Sequence, residues 1–161
     1  MTAPAFAAAP AFALDDTQSD TGMTGGNDAL ETLHNRSVDT ATGYAKMVEK
    51  AEPEFRGTVE RFRALHAAHA QTLARILVER GVDFSPNGTL MGTVHKAVVS
   101  VRAIFDEIDE DVMAQVRSGE TWVLDAFDVA IAEEPALGGT LRTMRAELDT
   151  LLADTEHLGR D

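Results

Sequence analysis

Residues 55–77 read FRGTVERFRALHAAHAQTLARIL, and this stretch decides the fold. Its ring-bearing and apolar side chains recur at alternating steps of four and three residues, the spacing of a helix packed lengthwise against other helices. Seven positions share this spacing: Phe55, Val59, Phe62, His66, His69, Leu73 and Ile76. The stretch therefore predicts a core helix. It also raises the question of why two histidines occupy central positions that favour leucine.

The opening of this stretch has a copy near the other end of the chain. Residues 52–64 read EPEFRGTVERFRA and residues 134–146 read EPALGGTLRTMRA, which match at Glu, Pro, Gly, Thr, Arg and Ala. Proline disfavours helical geometry at the residue before it, so each Glu-Pro pair predicts a break between two helices. Each copy is therefore interpreted as the tight connection of a helical hairpin.

Two hairpins predict an all-α protein with four long helices. The apolar periodicity places these helices at residues 28–50, 53–81, 109–134 and 137–158, with Asp28 as the cap of the first. An up-down bundle is one arrangement of two hairpins. The roughly 30 residues between the second and third helices favour the other, a ferritin-like four-helix bundle with a crossover along its length.

Two regions lie outside these four helices. Residues 90–107 carry an apolar face at helical spacing and predict an additional helix in the long crossover between helices 2 and 3. Residues 1–27 are rich in Ala, Pro and Gly and are predicted to be a flexible tail, which leaves residues 28–161 as the bundle. Alternatively, Phe6 and Phe12 of the tail dock on the bundle or on a neighbouring subunit.

Charge and composition exclude several classes of function. Fourteen Lys and Arg against 27 Asp and Glu leave a net charge of −13. Such a chain repels phosphate backbones and anionic lipids, so we expect no nucleic-acid partner and no membrane partner. The absence of cysteine excludes thiolate nucleophiles and ligands, and no serine has a recognisable triad setting. The start of the chain lacks the positive region of a signal peptide, which indicates a cytoplasmic protein.

Polar side chains are predicted to share the centre of the bundle. Residues equidistant from a hairpin turn lie at one level, and this places His66, His69 and Glu120 in one central layer. His34 falls within the apolar stripe of the first helix, about one turn away. An unpaired buried carboxylate costs several kcal/mol, so Glu120 must be paired, protonated or bound to a metal.

This layer leaves two alternatives open. Di-iron and di-manganese bundles place glutamates and Glu-x-x-His motifs at this level. Here His66, His69 and Glu120, with His34, are candidate ligands for one divalent metal ion, Fe, Mn or Zn. However, the first helix has Ser37 where a carboxylate is needed. The other alternative is a polar core layer without a cofactor, in which a histidine pairs with Glu120. No residue is predicted to be catalytic.

Five short motifs in order carry a family resemblance. They are Gly43-Tyr44, Arg80-Gly81-Val82, residues 88–96 (GTLMGTVHK), Ser118-Gly119-Glu120 and Glu134-Pro135. With them the chain resembles, over about residues 27–158, a bacterial ferritin-like family of unknown function. The resemblance implies a ferritin-like bundle with an extra crossover helix, and it supplies no established activity. A histidine that this family often carries in the last helix falls on Thr155.

The sequence therefore leaves two functions open. One is a non-catalytic ferritin-like bundle that acts by self-association, as a homo-oligomer, or by binding a partner. The other is a metal-binding protein of the di-iron carboxylate superfamily, with one bound metal and limited redox or storage activity. Self-association or partner binding is supported by a second apolar stripe on the third helix, opposite Glu120, formed by Trp122, Ala126 and Val129. We expect the crossover helix to cover this stripe; the alternative is a subunit interface.

Overall fold

The computed structural model describes residues 21–83 and 108–159, and within these residues the chain is helical and has no β-strand. The helices are α1 (Thr21–Lys50), α2 (Pro53–Glu79), α3 (Met113–Glu133) and α4 (Gly138–Asp154). Short 3₁₀ turns, Glu110–Val112 and Pro135–Leu137, precede α3 and α4. The prediction of an all-α protein with breaks before Pro53 and Pro135 is confirmed.

The four helices form a ring of neighbouring pairs. α1 packs against α2 and α3, and α4 packs against the same two helices. α1 and α3 are antiparallel: Arg36 of α1 lies beside Trp122, while Gly25 lies near Glu133 at the other end of α3. Among the described residues, α1 and α4 therefore occupy diagonal positions of the ring. Both are antiparallel to α3, so they point the same way along the bundle.

The connection between α2 and α3 joins opposite ends of the bundle. At one end, Ile108 exchanges backbone hydrogen bonds with the α1–α2 turn, from its N to Lys50 O at 3.2 Å and from Glu52 N to its O at 2.9 Å. At the other end, Arg80 near the end of α2 binds Glu134, which follows α3. The predicted crossover helix at residues 90–107 lies outside the described residues, as do Phe6 and Phe12.

The first helix begins at Thr21 rather than at the predicted cap, Asp28. Part of the predicted tail is therefore helical. Gly26 packs so closely on Glu134 that a Cβ at this position would overlap the Glu134 carboxyl group. Both oxygens of Glu134 accept hydrogen bonds from Arg80, at 2.8 and 2.6 Å. These long-range contacts hold the first turns of α1, and the local composition does not indicate them.

The core follows the predicted seam of α2 with one shift. Buried side chains begin at Phe55 and continue at the predicted positions as far as Leu73. The last seam position then moves from Ile76, which is half-buried, to Leu77, which is fully buried. A straight α-helix has 3.6 residues per turn, so a strict seven-residue repeat drifts around it by about 20° per heptad.

Candidate functional site

A hydrogen-bonded cluster of three side chains lies in the centre of the bundle. His66 Nε2 donates to Glu120 Oε1 at 3.0 Å, and the Tyr44 hydroxyl donates to the same oxygen. The Tyr44 ring stacks on both Phe62 and His66, with centroid separations of 5.3 and 5.7 Å. His66 and Glu120 are 0% and 1% exposed, so this cluster is sealed from solvent. Burial, together with the Glu120 charge, raises the pKa of Tyr44 well above its usual 10.0.

His69 lies in the same layer and pairs with a different carboxylate. Its Nε2 donates to Glu147 Oε2 of α4 at 2.9 Å, and the Glu147 side chain is 53% exposed. The His69 ring meets Phe127 edge-on. Burial lowers the pKa of His69, and the hydrogen bond to Glu147 opposes this effect only in part. His69 therefore links the core layer to the surface of α4.

His34 is buried on α1, as the apolar stripe predicted. Its Nδ1 lies 3.4 Å from Asn35 Oδ1, and burial is the main cause that lowers its pKa. One turn on, the Ser37 hydroxyl donates to Leu33 O of its own helix at 2.9 Å. Ser37 thus satisfies its hydroxyl locally and supplies no ligand to a neighbouring helix.

The structure joins His66 to Glu120, as the layer argument predicted, and adds two partners that sequence reasoning missed. Tyr44 lies in the predicted apolar stripe of α1, and a buried tyrosine hydroxyl usually requires a hydrogen-bond partner. From that requirement, a hydrogen bond between Tyr44 and a buried acceptor such as Glu120 could have been predicted. Glu147 lies at the edge of the α4 seam, and only its side-chain direction, which the sequence does not give, brings it to His69. This seam consists of the buried residues Leu141, Met144, Leu148 and Leu151.

The side chains of the layer, as arranged, are not gathered around a single point. Among the described residues, no group of three or more His, Asp or Glu side chains is placed to hold one. The two Nε2 atoms that could ligate a shared ion are directed at separate carboxylates, Glu120 and Glu147. Four buried side-chain atoms of the described residues have no hydrogen-bond partner, and three of them belong to this layer: Glu120 Oε2, His66 Nδ1 and His69 Nδ1.

Two surface clefts of the described residues lie away from this layer. One, of about 360 Å³, lies beside the α1–α2 turn and is lined mainly by carboxylates, including Glu52 and Asp109. The other, of about 420 Å³, lies between α1 and α3 and includes Trp122 and Val129. Neither cleft is lined by His66, His69 or Glu120. A substrate bound in either cleft would not reach the polar layer.

The cleft between α1 and α3 combines apolar and charged side chains. Trp122 is 66% exposed and Val129 is 50% exposed, whereas Ala126 between them is buried in the core. The predicted stripe is therefore two exposed residues rather than three. The Arg36 guanidinium carbon lies 5.8 Å from the Trp122 ring centroid, within range of a cation–π contact. Asp28 lines the other end of the cleft. We call this surface, formed by residues 25–36 and 122–133, the α1/α3 face.

None of the helices in the described residues is long and apolar enough to cross a bilayer.

Comparisons with known proteins give one match. No curated protein matches the chain, and no solved structure matches it. A family model described as "Domain of unknown function (DUF2383)" matches residues 27–133, from α1 to the end of α3. The match covers well over half of the chain and includes Tyr44, His66 and Glu120. The predicted kinship with an uncharacterised family is confirmed at this level, and the chain belongs to the DUF2383 family.

Proposed function

We propose that this protein is a non-catalytic helical bundle of the cytoplasm that acts by self-association through the α1/α3 face. The observation that carries the proposal is the exposed pair Trp122 and Val129 beside a cleft of about 420 Å³. A single exposed apolar residue such as Val78, which is 65% exposed, is ordinary on a protein surface. A tryptophan and a valine two turns apart, next to a cleft, instead mark an interaction surface.

The polar layer supports a structural role better than a catalytic one. A catalytic group has to reach its substrate, but His66 and Glu120 are sealed in the core. Their hydrogen bonds are to each other and to Tyr44, all through Glu120 Oε1. Leaving a buried polar group without its partner costs about 1–3 kcal/mol, so this cluster favours one arrangement of α1, α2 and α3.

Sedimentation of the full chain across a concentration series tests the proposal. We expect a monomer–dimer equilibrium that Val129→Gln weakens and that Val78→Gln, an equally polar change on exposed α2 surface, leaves unchanged. Trp122 is the only tryptophan and reports independently. Its emission should shift to the red on dilution in the wild type and remain red-shifted in Val129→Gln. A monomer at every concentration, or equal effects of the two substitutions, would contradict self-association through this face.

We also propose that the bundle is ferritin-like. The ring of neighbouring pairs and the long connection between opposite ends of the bundle support this, because ferritin-like bundles have one long crossover. An experimental structure that includes residues 84–107 tests it. A connection that contains a helix and runs along the bundle is the expected result.

The metal-binding alternative stays a prediction. The buried Glu120 Oε2, without a hydrogen-bond partner in the described part of the chain, is the observation that favours it. Elemental analysis of protein purified without a histidine tag tests it directly. Stoichiometric Fe, Mn or Zn in the wild type that is lost in Glu120→Leu would support a metal site, and only trace metal in both would exclude it.

A further inference from the structure

We propose that the α1/α3 face binds the same face of a second copy in antiparallel fashion, about a two-fold axis that passes over Thr32. The proposal rests on self-association through this face and specifies its geometry. In this dimer, Trp122 of each copy packs on Val129 of the other. Arg36 of each copy pairs with Asp28 of the other.

The argument begins with the alignment of the two helices. Arg36 lies beside Trp122 at one end of the face, and Gly25 lies beside Glu133 at the other. Residue numbers rise along one antiparallel helix as they fall along the other. Four residues from Arg36 toward the start of α1, and four from Trp122 toward the end of α3, Thr32 therefore lies across from Ala126. Thr32 is also the midpoint between Arg36 and Asp28. Ala126 adjoins the midpoint between Trp122 and Val129.

A two-fold axis lying in the interface and crossing both helices at this level satisfies both pairings at once. Rotation about it reverses the direction of each helix and lays α1 on α1 and α3 on α3. Trp122 then faces Val129, because their distances from the axis differ by only one residue, about 1.5 Å along the helix. An isologous interface requires this kind of self-complementarity, in which residue i meets residue j and j meets i.

Charge supports the same geometry. Asp28 is exposed and has no ion-pair partner in the described part of the chain. The Arg36 guanidinium donates to the backbone carbonyl of Trp122 and lies over the Trp122 ring. A guanidinium has five N–H donors, so others remain for a carboxylate. Asp28 and Arg36 are two turns apart on one helix, too far to pair within a chain. The proposed axis brings them together twice, once on each side.

Two features oppose this dimer and make it weak. The face is about 16 Å long, estimated from the rise of 1.5 Å per residue between Gly25 and Arg36. It is therefore smaller than a standard interface. Asp125 lies close to the axis, where it would face Asp125 of the second copy and be repelled by it. Each copy also carries a net charge of −13. Physiological salt screens charges farther apart than about 8 Å, so dimerisation should be measured in about 0.15 M NaCl.

A charge swap tests the geometry. Sedimentation equilibrium of the full chain, from about 1 μM to about 300 μM, covers the affinity range of small interfaces. We expect Arg36→Glu and Asp28→Arg each to weaken the dimer by about tenfold, through two lost pairs and two new repulsions. The double variant Arg36→Glu/Asp28→Arg should restore the wild-type dissociation constant to within about threefold. Asp125→Asn should tighten the dimer.

Arg75→Glu is the matched control, because it makes the same charge change on the exposed surface of α2. If Arg75→Glu and Arg36→Glu weaken the dimer equally, the effect comes from the change in net charge alone, and the proposal is overturned. A dimer that Val129→Gln disrupts, but that the double variant does not rescue, would overturn this geometry while self-association stands.

A monomer at all concentrations would overturn both proposals, and Trp122 emission then identifies the alternative. Blue-shifted emission independent of concentration would mean that another segment of this chain covers the face, from residues 1–20 or 84–107. Red-shifted emission would leave the face open to a different protein.

Discussion

Glu120 Oε1 accepts hydrogen bonds from two donors, Tyr44 and His66, that come from two other helices. In a core of low dielectric constant, an unpaired polar group is costly and a satisfied one is held firmly. These three side chains therefore join α1, α2 and α3 through one oxygen atom. Loss of either donor leaves a buried carboxylate less well compensated, which typically costs about 1–3 kcal/mol.

Tyr44 is the only tyrosine, so its ionisation can be followed by absorbance. Burial raises its pKa above 10.0 in the folded state, while the unfolded chain ionises near that value. The folded state therefore keeps the proton more tightly. The stability that this contributes is complete below pH 10 and is lost as the pH rises toward the folded pKa. We predict that tyrosinate absorbance appears together with the loss of helical circular dichroism. Tyrosinate formation at about pH 10 with intact helices would contradict the buried cluster.

The sequence predicted which side chains enter the core more reliably than it predicted their partners. His34, His66, His69 and Glu120 were all expected to be buried, and all four are buried. Periodicity alone reveals this, because it reports which face of a helix points inward. Whether His69 reaches Glu120 or Glu147 depends on helix rotation and rotamer choice. The spacing of apolar positions in the sequence gives information about neither the helix rotation nor the rotamer.

At the scale of the helix, contacts at the start of α1 override local composition. Gly25 and Gly26 would ordinarily weaken a helix, since glycine costs about 0.5–1 kcal/mol relative to alanine. Here the carboxyl group of Glu134 occupies the space that a Cβ on Gly26 would take, so any larger residue would displace it. The sequence marked this region as tail because the partner of Gly26 is distant in the chain.

Two glycine substitutions separate these effects. We predict that Gly57→Ala, on the exposed surface of α2 with no described atom near its Cβ position, stabilises the protein by about 0.5–1 kcal/mol. Gly26→Ala should destabilise it by about 1–2 kcal/mol, because Glu134 must move away from Arg80, and hydrogen bonds between charged groups contribute about 1.5–3 kcal/mol. Urea unfolding of both variants measures the difference. Equal stabilisation by both would show that Gly26 does not contact Glu134.

At the scale of the whole molecule, the buried histidines link folding stability to pH. Burial lowers the pKa values of His34 and His69, so the folded state binds fewer protons than the unfolded state, whose histidines titrate near 6.5. The stability that they contribute is present above pH 6.5 and is lost as the pH falls below it. Each histidine contributes at most about 1.4 kcal/mol per pH unit.

We therefore predict a lower free energy of unfolding in urea at about pH 5.5 than at about pH 7.5. His69→Gln keeps a donor for Glu147 and should reduce this pH dependence, whereas His157→Gln, at an exposed position, should not. The same pH dependence in wild type and His69→Gln would argue against a buried, neutral His69.

The backbone hydrogen bonds of Ile108 restrict how the two hairpins can slide past each other. The seams of α2 and α4 repeat every seven residues, so an axial offset of one heptad, about 10 Å, would again place apolar side chains on apolar side chains. Packing of the apolar side chains alone therefore discriminates poorly between such offsets. Ile108 precedes the second hairpin in the chain and bonds to the turn of the first. Arg80 and Glu134 join the two hairpins at the opposite end of the bundle. Any sliding would break contacts at both ends, so these few polar atoms select one offset from several that the apolar core would accept.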